Sequence, residues 1–164
     1  MVDSAILTKA SRLEARISYR FNDIRLLRDA IVLKGFENEV DNAFRKGIRK
    51  YDISILANLG DTVIDLLATE YLILKHDIEN TGEVTERRQR MVCRNRLTRL
   101  GHNFQLDKYL TMSDGERRDI YRSAMLGEAV ESLIGAVYLD VADNDSGLDD
   151  ARNVLTQMDF FSED

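Results

Sequence analysis

A chain of 164 residues, 44% hydrophobic and 32% charged, has material for one sizeable core, so a single domain is expected over residues 1–164. The net charge of −6 argues against a uniformly basic nucleic-acid binder. No apolar run reaches transmembrane length and the N-terminus lacks the basic-then-apolar plan of a secretory signal, so a cytoplasmic protein without a membrane partner is expected. The single cysteine, Cys93, excludes an internal disulfide, fits a reducing compartment and reads as a small buried hydrophobe.

The absence of proline and of alternating polar/apolar segments predicts an all-α fold. Helices are expected near 3–18, 23–34, 38–48, 53–76, 83–101, 105–111, 114–140 and 146–158, with Asp23 and Ser146 as N-caps and Gly35 and Gly101 as stops. His76 and His102 fall near helix ends and read as incidental. There are no repeats or linkers, and crossing helices around the 53–76 rod form the natural architecture.

That rod, Ile53 to His76, is apolar on more than one face, the pattern of a helix buried on nearly all sides. At about 1.5 Å per residue it spans roughly 36 Å. Asp61 and Asp65 share a face of it, with Asn58 and Thr62 completing a narrow polar stripe. A second apolar helix, Met125 to Leu139, carries Glu128 and Glu131 on one face and small residues (Gly127, Gly135, Ala136) that allow close approach. If the two helices cross at their acidic faces, Asp61, Glu128 and Glu131 converge as hard oxygen ligands suited to Mg²⁺ or Mn²⁺. Acidic pairs on helices are usually solvated, so spacing alone leaves both readings open.

The charge is unevenly spread. Residues 140–164 hold eight acids against Arg152, a local −7, which leaves residues 1–139 at +1. The segment 86–99 has six arginines (Arg87, Arg88, Arg90, Arg94, Arg96 and Arg99) against one acid, and 44–50 adds four basic residues, among them Lys46 and Lys50. Local basic patches are what phosphate contacts need, whatever the total charge. Taken singly, each arginine is more simply a solubilising group or the partner of a neighbouring acid.

Three motifs in order carry a resemblance. Leu59-Gly60-Asp61-Thr-Val-Ile-Asp65, then Gly82-Glu83-Val-Thr with Arg88 and Val92, then Glu128-Ala-Val-Glu131-Ser-Leu-Ile-Gly135-Ala-Val-Tyr-Leu-Asp140 resemble the ribonuclease III catalytic (endonuclease) domain. Leu13 to Ala30, with Tyr19, Phe21, Leu26 and Leu27, is similar to that family's opening helices, so the likeness covers about residues 12 to 155. It implies a ribonuclease III-like, all-α, homodimeric domain that hydrolyses double-stranded RNA with Mg²⁺, Mn²⁺ substituting. The implied products are 5′-phosphate and 3′-hydroxyl ends with a short 3′ overhang. Asp61 and Glu131 are implied as catalytic, and Asp61, Glu128 and Glu131 as metal ligands, with Glu83 assisting at a distance or at a second metal. Arg87, Arg88, Arg90, Arg94, Lys46 and Lys50 are the candidate RNA contacts. A two-fold dimer would place two sites across the RNA minor groove, and a symmetry mate would cover one face of the long helix.

The departures from the family pattern are specific. Four residues before Asp61, where the family has glutamate, stands Ala57, and three earlier, at another acidic position, stands Ser54. Glu128 occupies an aspartate position, and after Ala30 a Thr-His-x-Ser-like motif reads Ile31-Val-Leu-Lys-Gly35. The acidic tail, about residues 142–164, follows where the family's double-stranded-RNA-binding domain is usual. RNA affinity is therefore expected to rest on the two basic segments and to be weak and salt-sensitive. The alternative reading is a catalytically impaired ribonuclease III-like scaffold, an RNA-binding or structural subunit of an RNA–protein assembly. Ala57 favours that alternative; acids persisting in such apolar helices favour the enzyme.

Overall fold

The computed structural model describes residues 2–39, 50–76, 78–141 and 145–162. The elements in chain order are α1 (Val2–Ile17), α2 (Ile24–Ala30), α3 (Lys34–Glu39), α4 (Ile53–His76), α5 (Thr81–Val92), α6 (Arg94–Asn103), a 3₁₀ turn (Leu106–Lys108), α7 (Asp114–Asp119), α8 (Met125–Asp140) and α9 (Gly147–Gln157). Among the described residues the only β-type pairing is a parallel bridge between Val32 and Thr111.

The core forms where helical spacing presents apolar stripes. Ile6, Ala10, Leu13 and Ile17 recur every three or four residues on α1 and are all buried. Asp23 caps α2, accepting from the Arg25 N–H at 3.0 Å. Ser146 occupies the cap position of α9, but its side chain makes no capping hydrogen bond. At the centre α4 crosses α8. A Cβ added at Gly60 would lie 1.7 Å from the Glu131 carbonyl oxygen, and one at Gly135 would lie 2.0 Å from that of Leu56. The two backbones therefore touch, which only glycine at both positions permits.

Several expected boundaries move, for one physical reason. A continuous helix aims residues six apart about 120° away from each other, so a helix covered on one side only cannot bury both. Met91 and Leu97 are both buried although they would lie about 120° apart on a continuous helix. The expected 83–101 helix accordingly breaks at Cys93, which is extended (φ −64°, ψ 148°). Ile120 and Leu126 stand in the same relation, and the expected 114–140 helix breaks between α7 and α8. Ile31, Val32 and Leu33 are buried in succession, so 23–34 stops at Ala30 and the chain extends: the Thr111 N–H donates to the Ile31 oxygen (2.8 Å) and the Leu33 N–H to the Thr111 oxygen (2.9 Å). The 105–111 helix is only the 3₁₀ turn. Of the expected 38–48 helix, residues 38 and 39 end α3 and the rest lies outside the described residues. Gly35 sits in the first turn of α3 and Gly101 inside α6, so neither is a stop. Cys93, at the outside of the break, is exposed rather than buried.

The long helix departs from expectation in another way. It is not enclosed: Ile55, Leu66, Ile73 and Leu74 are 59%, 51%, 48% and 71% exposed. Ile55, Leu59, Thr62, Leu66 and Ile73 fall within about 60° of one another around the axis, forming one open, mainly apolar stripe. Ser54, Asn58, Asp61 and Asp65 run down the border between this stripe and the buried face.

Candidate functional site

The crossing of α4 and α8 builds a cleft of about 640 Å³ lined by Ser54, Ala57, Asn58, Asp61, Arg94, Ala124, Met125, Gly127, Glu128 and Glu131. From Leu126 to Val137 every residue of α8 is buried except Glu128 and Glu131. The two carboxylates thus open from an otherwise enclosed helix into this space, opposite Asp61. The crowding is visible in the charge balance. Burial, then the negative charges of Asp61 and Glu128, push the Glu131 carboxyl up to about 7, against the opposing pull of the Arg94 guanidinium.

Glu128 is held across the crossing, its Oε1 accepting from the Ser54 hydroxyl at 3.0 Å. Among the described residues Asp61 and Glu131 have no hydrogen-bond donor. Ala57, one turn after Ser54, contributes no polar atom to the wall. In this conformation no three acidic, imidazole or thiol groups among the described residues stand close enough together to hold an ion. The shared cleft is the better guide to what they can do, because Asp61 and Glu131 are tethered by no hydrogen bond and can rotate. Three carboxylates facing one cleft, with Asp61 and Glu128 raising the proton affinity of Glu131, form a donor set that a hard divalent cation satisfies, with its remaining positions left to water or phosphate. Asp61, Glu128 and Glu131 are the residues that could hold it.

Glu83 does not reach this cleft. It pairs with Arg87 at 2.7 Å and lines a separate groove of about 580 Å³ with Tyr71, Arg90, Arg96 and Phe161. The arginines of 86–99 likewise divide. Arg90 pairs with Glu86 at 2.7 Å, Arg88 with Asp65 at 3.2 Å, and Arg96 donates to the Phe160 and Ser162 carbonyls at 2.9 and 3.0 Å. Of the expected RNA contacts among the described residues, Arg94 alone lines the carboxylate cleft. Lys50 is exposed with its ammonium 5.1 Å from the Tyr51 ring, and Lys46 lies outside the described residues.

Residues 54–142 match the Ribonuclease III domain family, and the chain belongs to that family. It is 33% identical over 145 residues to "Ribonuclease 3" of Clostridium tetani, covering 87% of this chain and 57% of that protein. It is 34% identical to "Ribonuclease 3" of Clostridium acetobutylicum, covering 87% and 58%. The chain thus spans less than two thirds of the length of these relatives. Its fold is similar to a 2.2 Å crystal structure of the nuclease domain of ribonuclease III from Campylobacter jejuni, with a TM-score of 0.73 at 25% identity over 94% of this chain and 97% of that one. A second structure of that nuclease domain, described for structural flexibility in a region involved in dimer formation, gives 0.72 at 26% identity over 89% and 92%. Among the described residues, no helix is long and apolar enough to cross a membrane.

Proposed function

We propose that this single domain is a homodimeric, divalent-metal-dependent endoribonuclease of the cytoplasm. It hydrolyses double-stranded RNA to 5′-phosphate and 3′-hydroxyl ends. The observation that carries the reading is the backbone-to-backbone crossing at Gly60 and Gly135, beside which Asp61, Glu128 and Glu131 share one cleft. Asp61, Glu128 and Glu131 would hold Mg²⁺ or Mn²⁺, which supplies an activated water and neutralises phosphate charge when bound. Arg94, on the rim, offers a guanidinium to a backbone phosphate, and the exposed Lys50 adds a second cation. Arg87, Arg88 and Arg90 contribute to RNA affinity only by exchanging their present acidic partners for phosphate, so their contacts are weaker than their number suggests.

The dimer is supported by the open stripe of α4. Ile55, Leu66 and Ile73 are its large exposed hydrophobics, and a symmetric pairing would cover them. A second reading, an RNA-binding or structural subunit without cleavage, draws on Ala57, which removes a carboxylate from the α4 wall. Cleavage of a labelled RNA duplex with Mg²⁺ or Mn²⁺, beside Glu131→Ala, separates the two. Cutting that requires metal and vanishes in the variant is the expected result. Duplex binding at low salt without cutting would establish the second reading.

A further inference from the structure

A side-chain hydrogen bond joins α4 to α8, from the Ser54 hydroxyl to the Glu128 carboxylate. Ser54 is itself fixed in place. Its N–H donates to the Asp52 carboxylate at 2.8 Å, and the Ile55 N–H donates to the Asp52 carbonyl at 3.0 Å, which together anchor the first turn of α4. Just upstream, the buried Asp29 accepts from the N–H groups of Lys50 and Tyr51 at 3.0 and 3.1 Å. The Ser54 hydroxyl thus leaves a braced backbone and reaches the Oε1 of Glu128 at 3.0 Å, on the other helix. The second oxygen of Glu128 has no donor among the described residues. An aspartate at 128 would be roughly 1.5 Å shorter, one C–C bond, and would fall outside hydrogen-bond reach of Ser54. Between Ser54 and Asp61 the cleft wall carries Ala57 and Asn58, and among the described residues Ser54 is the group that donates to Glu128.

We infer that Ser54 is a positioning residue of the carboxylate cleft: its hydroxyl holds one oxygen of Glu128 so that the other is presented to a divalent cation shared with Asp61 and Glu131. This rests on the cation-binding reading of the cleft given above. It gives the extra methylene of Glu128 a purpose, spanning a cleft whose α4 side lacks a carboxylate at 57. Groups that orient a metal ligand are known to matter for affinity without touching the ion.

The test is calorimetric titration of Mn²⁺ into EDTA-stripped protein, with thermal melts alongside. Ser54→Ala should weaken Mn²⁺ binding by about tenfold, the low end of what losing a ligand-orienting hydrogen bond costs, because Glu128 is only partly buried. Ser54→Thr, which keeps the hydroxyl, should recover most of the affinity, and both variants should melt as the parent does. In the Glu128→Asp background, Ser54→Ala should cost little more, since the contact is already broken. Unchanged Mn²⁺ binding in Ser54→Ala, equal losses in the Ala and Thr variants, or losses that simply add would each overturn the inference while leaving the site intact. A parent protein that binds no Mn²⁺ would overturn it together with the cation-binding reading.

Discussion

The two helices that cross at the centre, α4 and α8, look alike as sequence and are used differently. Both are long apolar runs that carry three acids each and meet at glycine, Gly60 on one and Gly135 on the other. Yet α8 is enclosed from Leu126 to Val137 except at Glu128 and Glu131, whereas α4 keeps an open stripe of Ile55, Leu66 and Ile73. Apolar residues show that a face will be covered, but not by which partner. On α8 the cover is the rest of the chain. On α4 the spacing of Ile55, Leu66 and Ile73, within one narrow arc, marks a face that the described residues do not cover.

The difference can be broken at its sharpest point by filling the crossing. Gly135→Val puts side-chain atoms where a Cβ alone lies 2.0 Å from the Leu56 oxygen, so the helices must separate. A loss of about 3 kcal/mol or more in denaturant unfolding is expected, at the upper end for overpacking. Leu66→Asp on the open stripe sharpens the contrast. The folded monomer should lose no more than about 0.5 kcal/mol, as for an exposed position. Sedimentation should nevertheless show the dimer replaced by monomer at concentrations where the parent is paired, and a variant that still sediments as a dimer would remove α4 from the interface.

The last contrast concerns pH. The Glu131 carboxyl is raised from 4.5 to about 7, so the folded state binds this proton more tightly than the unfolded state does. Its contribution is present below about 4.5 and is lost as pH rises through 7. In EDTA, the melting temperature should therefore fall between pH 5 and 7.5. The fall should be smaller in Glu131→Gln, and an identical fall in both proteins would assign it to other groups.

The sequence makes the α4–α8 half of the site legible because period and small residues constrain which faces can meet. That Asp61, Glu128 and Glu131 can face one cleft follows from that pattern, while the motif resemblance is what singles them out as candidate ligands. Glu83 does not, because motif order says nothing about which side of α4 the next helix occupies, and α5 carries Glu83 into a groove with Tyr71 and Phe161. The arginine-rich segment reads as one basic patch until the break at Cys93 turns Arg94 toward the cleft and leaves Arg87 and Arg90 with acids one turn away. Ser54, considered only as the place of a missing acid, emerges as the donor to Glu128. The signal was its position seven residues before Asp61, on the same edge of the same helix.

One carboxylate elsewhere serves two helix ends at once. Glu116 accepts from the Gly35 and Phe36 N–H groups of α3 at 2.6 and 3.1 Å while completing the Ser113 capping box of α7. Each of these helices is six residues long, too short to persist by itself in water. Because they share a single anion, losing the Glu116 carboxylate would uncap both helix starts at once, and hydrogen exchange at the Gly35 and Glu116 N–H groups should rise together in Glu116→Ala.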